Sequence, residues 1–258
     1  MIEIAGKAGY DGLELWVSDI RDYLRQGNSV ESLNKIIKDN GLVVYDAISF
    51  THWMVKDDQQ RKAALKELEE EMEIMRALGC ARIAAPPAGV DKGQMVDVKT
   101  AGAYYHDILE LGRKHQVMPL LEFWGASGTL YNLGQAMAIA AASNDPDARI
   151  LPDVYHMFRG GSGFNGLKML KGNVIDIIHM NDYPGNKPVD QQTDADRVYP
   201  GDGVAPLKQI LKDLKDMGGT KALSLELFNK TYWSQDAFTV AKTGLDKMKK
   251  LVSEVMAN

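Results

Sequence analysis

Acids and histidines stand at the same end of four successive apolar runs. Glu122 closes the leucines of "LLEFWG", and Asp153 and His156 fall late in "LPDVYH". "IIHMND" brings His179, Asn181 and Asp182, and "LSLELF" brings Glu226. The middle of a buried strand has no use for such residues; the end of a strand, opening into a loop, does. Two glutamates, one aspartate and one histidine offer oxygen donors and one imidazole nitrogen. That set suits a divalent cation such as Mn²⁺, Mg²⁺, Co²⁺ or Zn²⁺. Carboxylates gathered out of water without a counter-charge carry a large desolvation cost, so several at one spot ask for a cation. Taken singly, each acid reads equally well as a loop ion pair or a helix N-cap. Four in register on successive strands favour one shared ion.

The elements that must position these residues alternate along the chain. Apolar runs at 12–17, 42–50, 80–87, 117–125, 148–156, 174–182 and 221–228 read as strands. Amphipathic stretches at 29–41, 57–79, 98–115, 129–143, 164–171, 204–219 and 234–257 read as helices. In 57–79, Ala64, Leu65, Leu68, Met72, Met75 and Leu78 recur at helical spacing, and charged residues fill the rest. Strict βα alternation predicts parallel strands covered on both faces, an α/β architecture. In a parallel barrel the carboxyl ends of the strands converge on the active site, which is where the acids fall. A single domain spanning 1–258 is expected, since one barrel takes about 250 residues. Seven strands are recognised where a closed barrel has eight, and "IEIAGKAG" reads as the second half of a helix. The expectation is a barrel without its first strand, or an open one whose two edges a second subunit could cover.

Bulk composition excludes several classes. A net charge of −5 leaves no basic footprint for nucleic acid. No run reaches the ~18 apolar residues of a membrane span, and "MIEIAGKAGYDG" lacks the pattern of a signal peptide. The lone cysteine, Cys80, fits a reducing compartment such as the cytoplasm and reads as a small buried hydrophobe. "GGSGFNG", 160–166, reads as a flexible loop. The irregular segment 183–203 is long enough to be functional or mobile.

At the strand ends the chain resembles the xylose isomerase-like barrel superfamily. That group holds sugar-phosphate isomerases and epimerases, inosose dehydratases and apurinic endonucleases. "AGYDGLELW" is similar to the family's entry into its second strand, and "LEFWG", "DVYHMFRGG", "HMND", "DRVYPGDG" and "SLELF" follow in family order over essentially the whole chain. The resemblance implies a (β/α)8 TIM-barrel type of fold. It also implies that Glu122, Asp153, His179 and Glu226 bind the metal, and that Glu122 and Glu226 act as acid and base on opposite sides of the substrate. His156 would support the metal or touch substrate. Arg197 would reach a substrate hydroxyl or phosphate, or else form an ordinary loop ion pair with Asp196. Trp16, Trp53, Phe123 and Trp124 near strand ends would wall the pocket or, for Phe123 above all, pack in the core. His52 would hydrogen-bond substrate or sit on the rim.

The endonuclease branch needs extra histidines, but Val198 follows the "DR" pair and "ARIAAPP" ends without one. No G-x-G-x-x-G follows a strand, which argues against a dinucleotide cofactor. The expected activity is metal-dependent isomerisation or epimerisation of a ketose or polyol-derived ketone, a small-molecule sugar substrate. The alternatives are an inosose-type dehydratase and a non-catalytic barrel that binds metal or sugar.

Overall fold

Most apolar and amphipathic runs become the elements their periodicity demands. The computed structural model describes residues 1–91 and 93–257. Its first half runs α1 (Ile2–Ala8), β1 (Gly12–Trp16), α2 (Val17–Arg25), α3 (Val30–Asp39), β2 (Val43–Ile48), α4 (Asp58–Ala77), β3 (Arg82–Ala85) and α5 (Val98–His115). There follow β4 (Met118–Glu122), α6 (Leu133–Ala142), β5 (Arg149–Leu151), α7 (Val154–Arg159), β6 (Ile177–Met180), α8 (Leu207–Met217), β7 (Ala222–Leu225), α9 (Lys230–Trp233) and α10 (Ala237–Met256). Side chains that accept an otherwise orphaned N–H set the helix starts: Ser29 before α3, Asp57 before α4, Asp97 before α5, Asn132 before α6 and Asp236 before α10. Burial then selects one face, as Ala64, Leu68, Met72 and Met75 show along α4.

All strand pairs are parallel. β1 to β5 lie side by side in chain order, and β6 pairs with β7. A bridge between Asp153 and His179 carries the pairing from β5 to β6, with the His179 N–H donating to Pro152 O at 2.9 Å. From the far side Ser224 Oγ, on β7, donates to Glu14 Oε2, on β1, at 2.6 Å. The strands therefore curl into a barrel. Among the described residues no ladder joins β7 to β1. Both strands are only partly buried, whereas β6 is buried throughout.

The barrel interior is a small apolar layer of Ile48, Ala84, Leu120, Leu151 and Ile177. The larger apolar layer lies between strands and helices and includes Leu121 and Ile178. Side chains alternate faces along a strand. Glu122, Asp153 and His179 each stand two residues beyond an interior residue, so they too face inward, one layer nearer the mouth.

Three segments depart from the sequence reading. The run 148–156 was expected to be all strand, yet β5 stops at Leu151. Pro152 has no N–H to give a ladder. Asp153 then accepts the His156 N–H at 2.7 Å and starts α7. Asp153 is thus both an N-cap and an inward-facing acid, two readings that had stood as alternatives. Strand β1 ends at Trp16, and Val17 opens the helix α2, which buries Val17 and Ile20. The segment read as a helix at 164–171 is a 3-10 turn over Asn165–Met169. Cys80 is buried, its thiol donating to Arg82 O at 3.2 Å.

The segment 183–203 is held in place by Asp182, at the end of β6. Its Oδ1 accepts the N–H groups of Tyr183 and Ala205, both at 2.8 Å. Its Oδ2 accepts those of Gly201 and Gly203, both at 3.0 Å. A Cβ at Gly203 would collide with this carboxylate, so only glycine lets the loop close on it.

Candidate metal centre

Three inward carboxylates meet around the imidazole of His179. Its Nδ1 lies 3.2 Å from Glu226 Oε2, 3.6 Å from Asp153 Oδ2 and 3.9 Å from Glu122 Oε1. Donor atoms of Asp153, His179 and Glu226 all fall within 4.8 Å of one another. Glu122 stands at the margin of this triad. Nδ1 of His179 and Oε2 of Glu122 are buried and make no hydrogen bond with the described residues. Buried polar atoms are rarely left so. A ring nitrogen and a carboxylate oxygen, both unpaired beside two further acids, fit a divalent ion of the kind that takes mixed nitrogen and oxygen donors.

Each ligand candidate is held from behind. The Trp124 indole N–H donates to Glu122 Oε1 at 3.1 Å. Asn181 Nδ2 donates to Asp153 Oδ2 at 3.0 Å, while Asn181 Oδ1 accepts the Tyr155 N–H at 2.9 Å. His179 Nε2 lies 3.0 Å from Glu14 Oε1. Glu14 is paired in register with Asp46 across β1 and β2.

Charge in this pocket is finely divided. Burial, opposed by His179 and reinforced by Glu226 and Glu14, pushes the Glu122 carboxyl up to about 8. Burial would also raise Asp153, but Arg197, His156 and His179 hold it well below the usual carboxylate range. Burial works against a charged His179, yet Glu14 and Glu226 hold that imidazole well above its ordinary value. Burial and the Glu14 charge raise Asp46 well above its usual range.

Arg197 reaches the site from the long loop. Its Nη1 donates to Asp153 Oδ2 at 2.8 Å and to Glu226 Oε2 at 2.6 Å, and its Nη2 donates to Asp194 Oδ1 at 2.7 Å. The loop partner of Arg197 is therefore Asp194; Asp196 pairs with Lys187 at 2.7 Å. His156, buried on α7, has its Nδ1 facing the Gly125 N–H at 3.2 Å. A backbone N–H and a guanidinium N–H can only donate, and a neutral imidazole has one acceptor nitrogen, so the ring accepts from Gly125 or from Arg197 but not from both. Burial, against the pull of Asp153 and with the repulsion of Arg197, keeps His156 below its ordinary value, so the neutral ring is favoured. Its Nε2 lies 3.1 Å from Arg197 Nη2, a guanidinium donor.

Aromatic rings ring the mouth. Trp16 is 40% exposed and meets Phe50 edge-on at 5.5 Å between centroids and Phe228 in a stack at 6.2 Å. Phe50 in turn lies 6.2 Å from Trp124. Trp16 and Trp124 thus sit where a pocket wall was expected. Trp53 does not: it is buried, and its Nε1–H donates to Pro86 O at 2.8 Å. Phe123 is a core residue as well, since the strand alternation turns it outward to the helices. His52 is exposed, and its ring packs on Gly89 rather than on the ligand candidates.

Sequence reading missed Glu14, Asp46 and Ser224 behind His179, Asp194 beside Arg197, and Phe50 and Phe228 at the mouth. The signal for the first two was present. "LEL" and "YDA" each set a single acid inside an apolar strand, where an inward carboxylate needs a partner.

Known proteins share this fold and much of this chain's length. An inosose isomerase of Halalkalibacterium halodurans is 28% identical over 263 residues, covering 98% of this chain and 90% of that protein. The inosose isomerase of Bacillus subtilis is 27% identical over 273 residues, covering 98% and 93%. The crystal structure of an IolI protein with a bound zinc atom superposes with a TM-score of 0.90 at 25% identity, covering 98% of this chain and 92% of that one. An L-ribulose 3-epimerase shares the fold, with a TM-score of 0.76 at 18% identity, covering 97% and 87%. Residues 2–251 match the family described as xylose isomerase-like TIM barrel, and the chain belongs to that family.

Proposed function

We propose that this protein is a divalent-metal-dependent isomerase of a sugar or cyclic polyol ketone, with an inosose as the first substrate to test. The observation that carries this reading is the His179 Nδ1 facing three carboxylates within 3.9 Å. Relatives named inosose isomerase, matched over nearly their whole length, support the substrate class. Glu122, Asp153, His179 and Glu226 would hold the ion, and the zinc of the similar IolI protein favours zinc over manganese.

The reaction starts with loss of a weakly acidic C–H proton beside a carbonyl. A divalent ion at this site supplies electrostatic stabilisation for the negative charge that develops on substrate oxygen. Glu226 and Glu122 act as base and acid. One takes the proton and the other returns it, to the opposite face in epimerisation or to the neighbouring carbon in isomerisation. His156 and Arg197, 3.1 Å apart at Nε2 and Nη2, are the polar groups that would contact a substrate oxygen. Trp16, Phe50, Phe228 and Trp124 would take the C–H face of the ring. A cytoplasmic setting suits the lone Cys80. The half-buried edges of β1 and β7 suit a further strand or a second subunit.

The test is proton exchange. Zinc-loaded and manganese-loaded protein is incubated in D₂O with an inosose, and the product is read by NMR. Deuterium at the carbon beside the carbonyl, with an isomeric ketone appearing, supports the reading. Loss of a β-hydroxyl would instead assign a dehydratase. Metal bound with no exchange on inososes or ketoses would leave a binding barrel and overturn the enzyme reading.

A further inference from the structure

Behind His179 lies a group that no ligand role requires. Glu14 sits on β1, far from β6 in sequence, yet its Oε1 lies 3.0 Å from His179 Nε2. Its other oxygen, Oε2, accepts the Ser224 hydroxyl at 2.6 Å. Asp46 stands beside it in register on β2. The carboxylate is therefore fixed at both oxygens, with its side chain 8% exposed. An imidazole has one proton to place when neutral. A carboxylate at Nε2 takes that proton in a hydrogen bond and leaves Nδ1 with the lone pair. Nδ1 is the nitrogen that faces Glu226, Asp153 and Glu122.

We propose that Glu14, held by Ser224, is the positioning residue of the metal centre: it selects the Nε2–H form of His179 and aims Nδ1 at the ion. The inference rests on the metal-dependent reading above and deepens it. Glu14 touches neither the ion nor the substrate; it acts through His179. The arrangement spans the side of the barrel where, among the described residues, β7 and β1 share no ladder. The Ser224–Glu14–His179 chain of contacts thus joins β1 to both β6 and β7.

The experiment measures zinc affinity of the whole purified protein, without substrate, by competition with a chromophoric chelator. Wild type, Glu14→Ala, Glu14→Gln and Ser224→Ala are compared. Loss of such an outer partner lowers metal affinity by about 10- to 100-fold, which is the effect expected for Glu14→Ala. Glu14→Gln keeps an oxygen that can accept from Nε2 and is expected to fall between Glu14→Ala and wild type. Ser224→Ala is expected to weaken binding less than Glu14→Ala. A purely structural role would lower the melting temperature without this graded order in affinity.

Should Glu14→Ala fail to fold, the wild-type histidine reports directly. Nitrogen-edited NMR of the zinc-loaded protein is expected to show the His179 proton on Nε2. A proton on Nδ1, or zinc affinity in folded Glu14 variants equal to wild type, overturns the inference while leaving the metal centre standing. Wild type that binds no divalent ion overturns both.

Discussion

Nδ1 of His179 and Oε2 of Glu226 stand 3.2 Å apart on neighbouring strands. Parallel register brings them there. His179 pairs with Ser224 and Met180 with Leu225, and the Glu226 N–H extends the ladder to Met180 O at 3.2 Å. The same Glu226 oxygen accepts from Arg197 at 2.6 Å. One carboxylate oxygen therefore joins the candidate ion site to the loop that carries Arg197.

That position makes Glu226 the sharpest test of the chemistry. Glu226→Gln keeps the shape and removes the base. Turnover is expected to fall by about 10²- to 10⁴-fold while the circular dichroism spectrum and melting temperature stay near wild type. Wild-type turnover in this variant would remove Glu226 from the mechanism.

Metal affinity should depend on pH, and the sign follows from His179. Glu14 and Glu226 hold its imidazole well above its ordinary value, so the metal-free ring carries its second proton near neutrality. An incoming ion must displace that proton. Affinity is expected to strengthen as pH rises and to weaken as it falls, by up to about tenfold per pH unit for one displaced proton. Zinc titrations at several pH values check this, and an affinity flat between pH 6 and 8 (~two units) would contradict it.

Trp53 and Trp16 were both candidates for the pocket wall, and they should now behave differently. Trp53→Ala removes a buried ring and its hydrogen bond to Pro86, and is expected to cost about 3–5 kcal/mol in chemical denaturation. Trp16→Ala, at the exposed mouth, is expected to change stability by less than about 1 kcal/mol and to raise KM. Equal losses of stability would restore Trp16 to the core.

Asp182 is expected to act at a distance. Asp182→Ala strips the carboxylate from four backbone N–H groups of the loop that presents Arg197. A loss of about 3 kcal/mol in stability is expected, together with a fall in kcat/KM. Unchanged values of both would show that the loop holds Arg197 without it.

How much of this was legible in the sequence depended on where each acid stood. Glu122, Asp153, His179 and Glu226 were visible because each closes an apolar run, where polarity marks the end of a strand. Glu14 and Asp46 lie inside such runs, and a single acid there reads equally as a solvent-facing residue of an edge strand. Only the barrel's closure, which brings β1 beside β6 and β7, shows that they face His179. Trp53 misled because a bulky ring after a strand fits a pocket wall or a core, and burial alone decides. Asp153 was found without its second role, since the helix it caps begins directly after Pro152. The strand order was legible throughout, because apolar runs and amphipathic stretches alternate without exception.

The central claim is that Glu122, Asp153, His179 and Glu226 share one doubly charged ion. Anomalous diffraction at the zinc edge, from crystals soaked in zinc, tests it directly. The account predicts a single strong peak among these side chains, about 2.0–2.2 Å from His179 Nδ1 and from carboxylate oxygens. No peak there, or a peak bound through other residues, would contradict it.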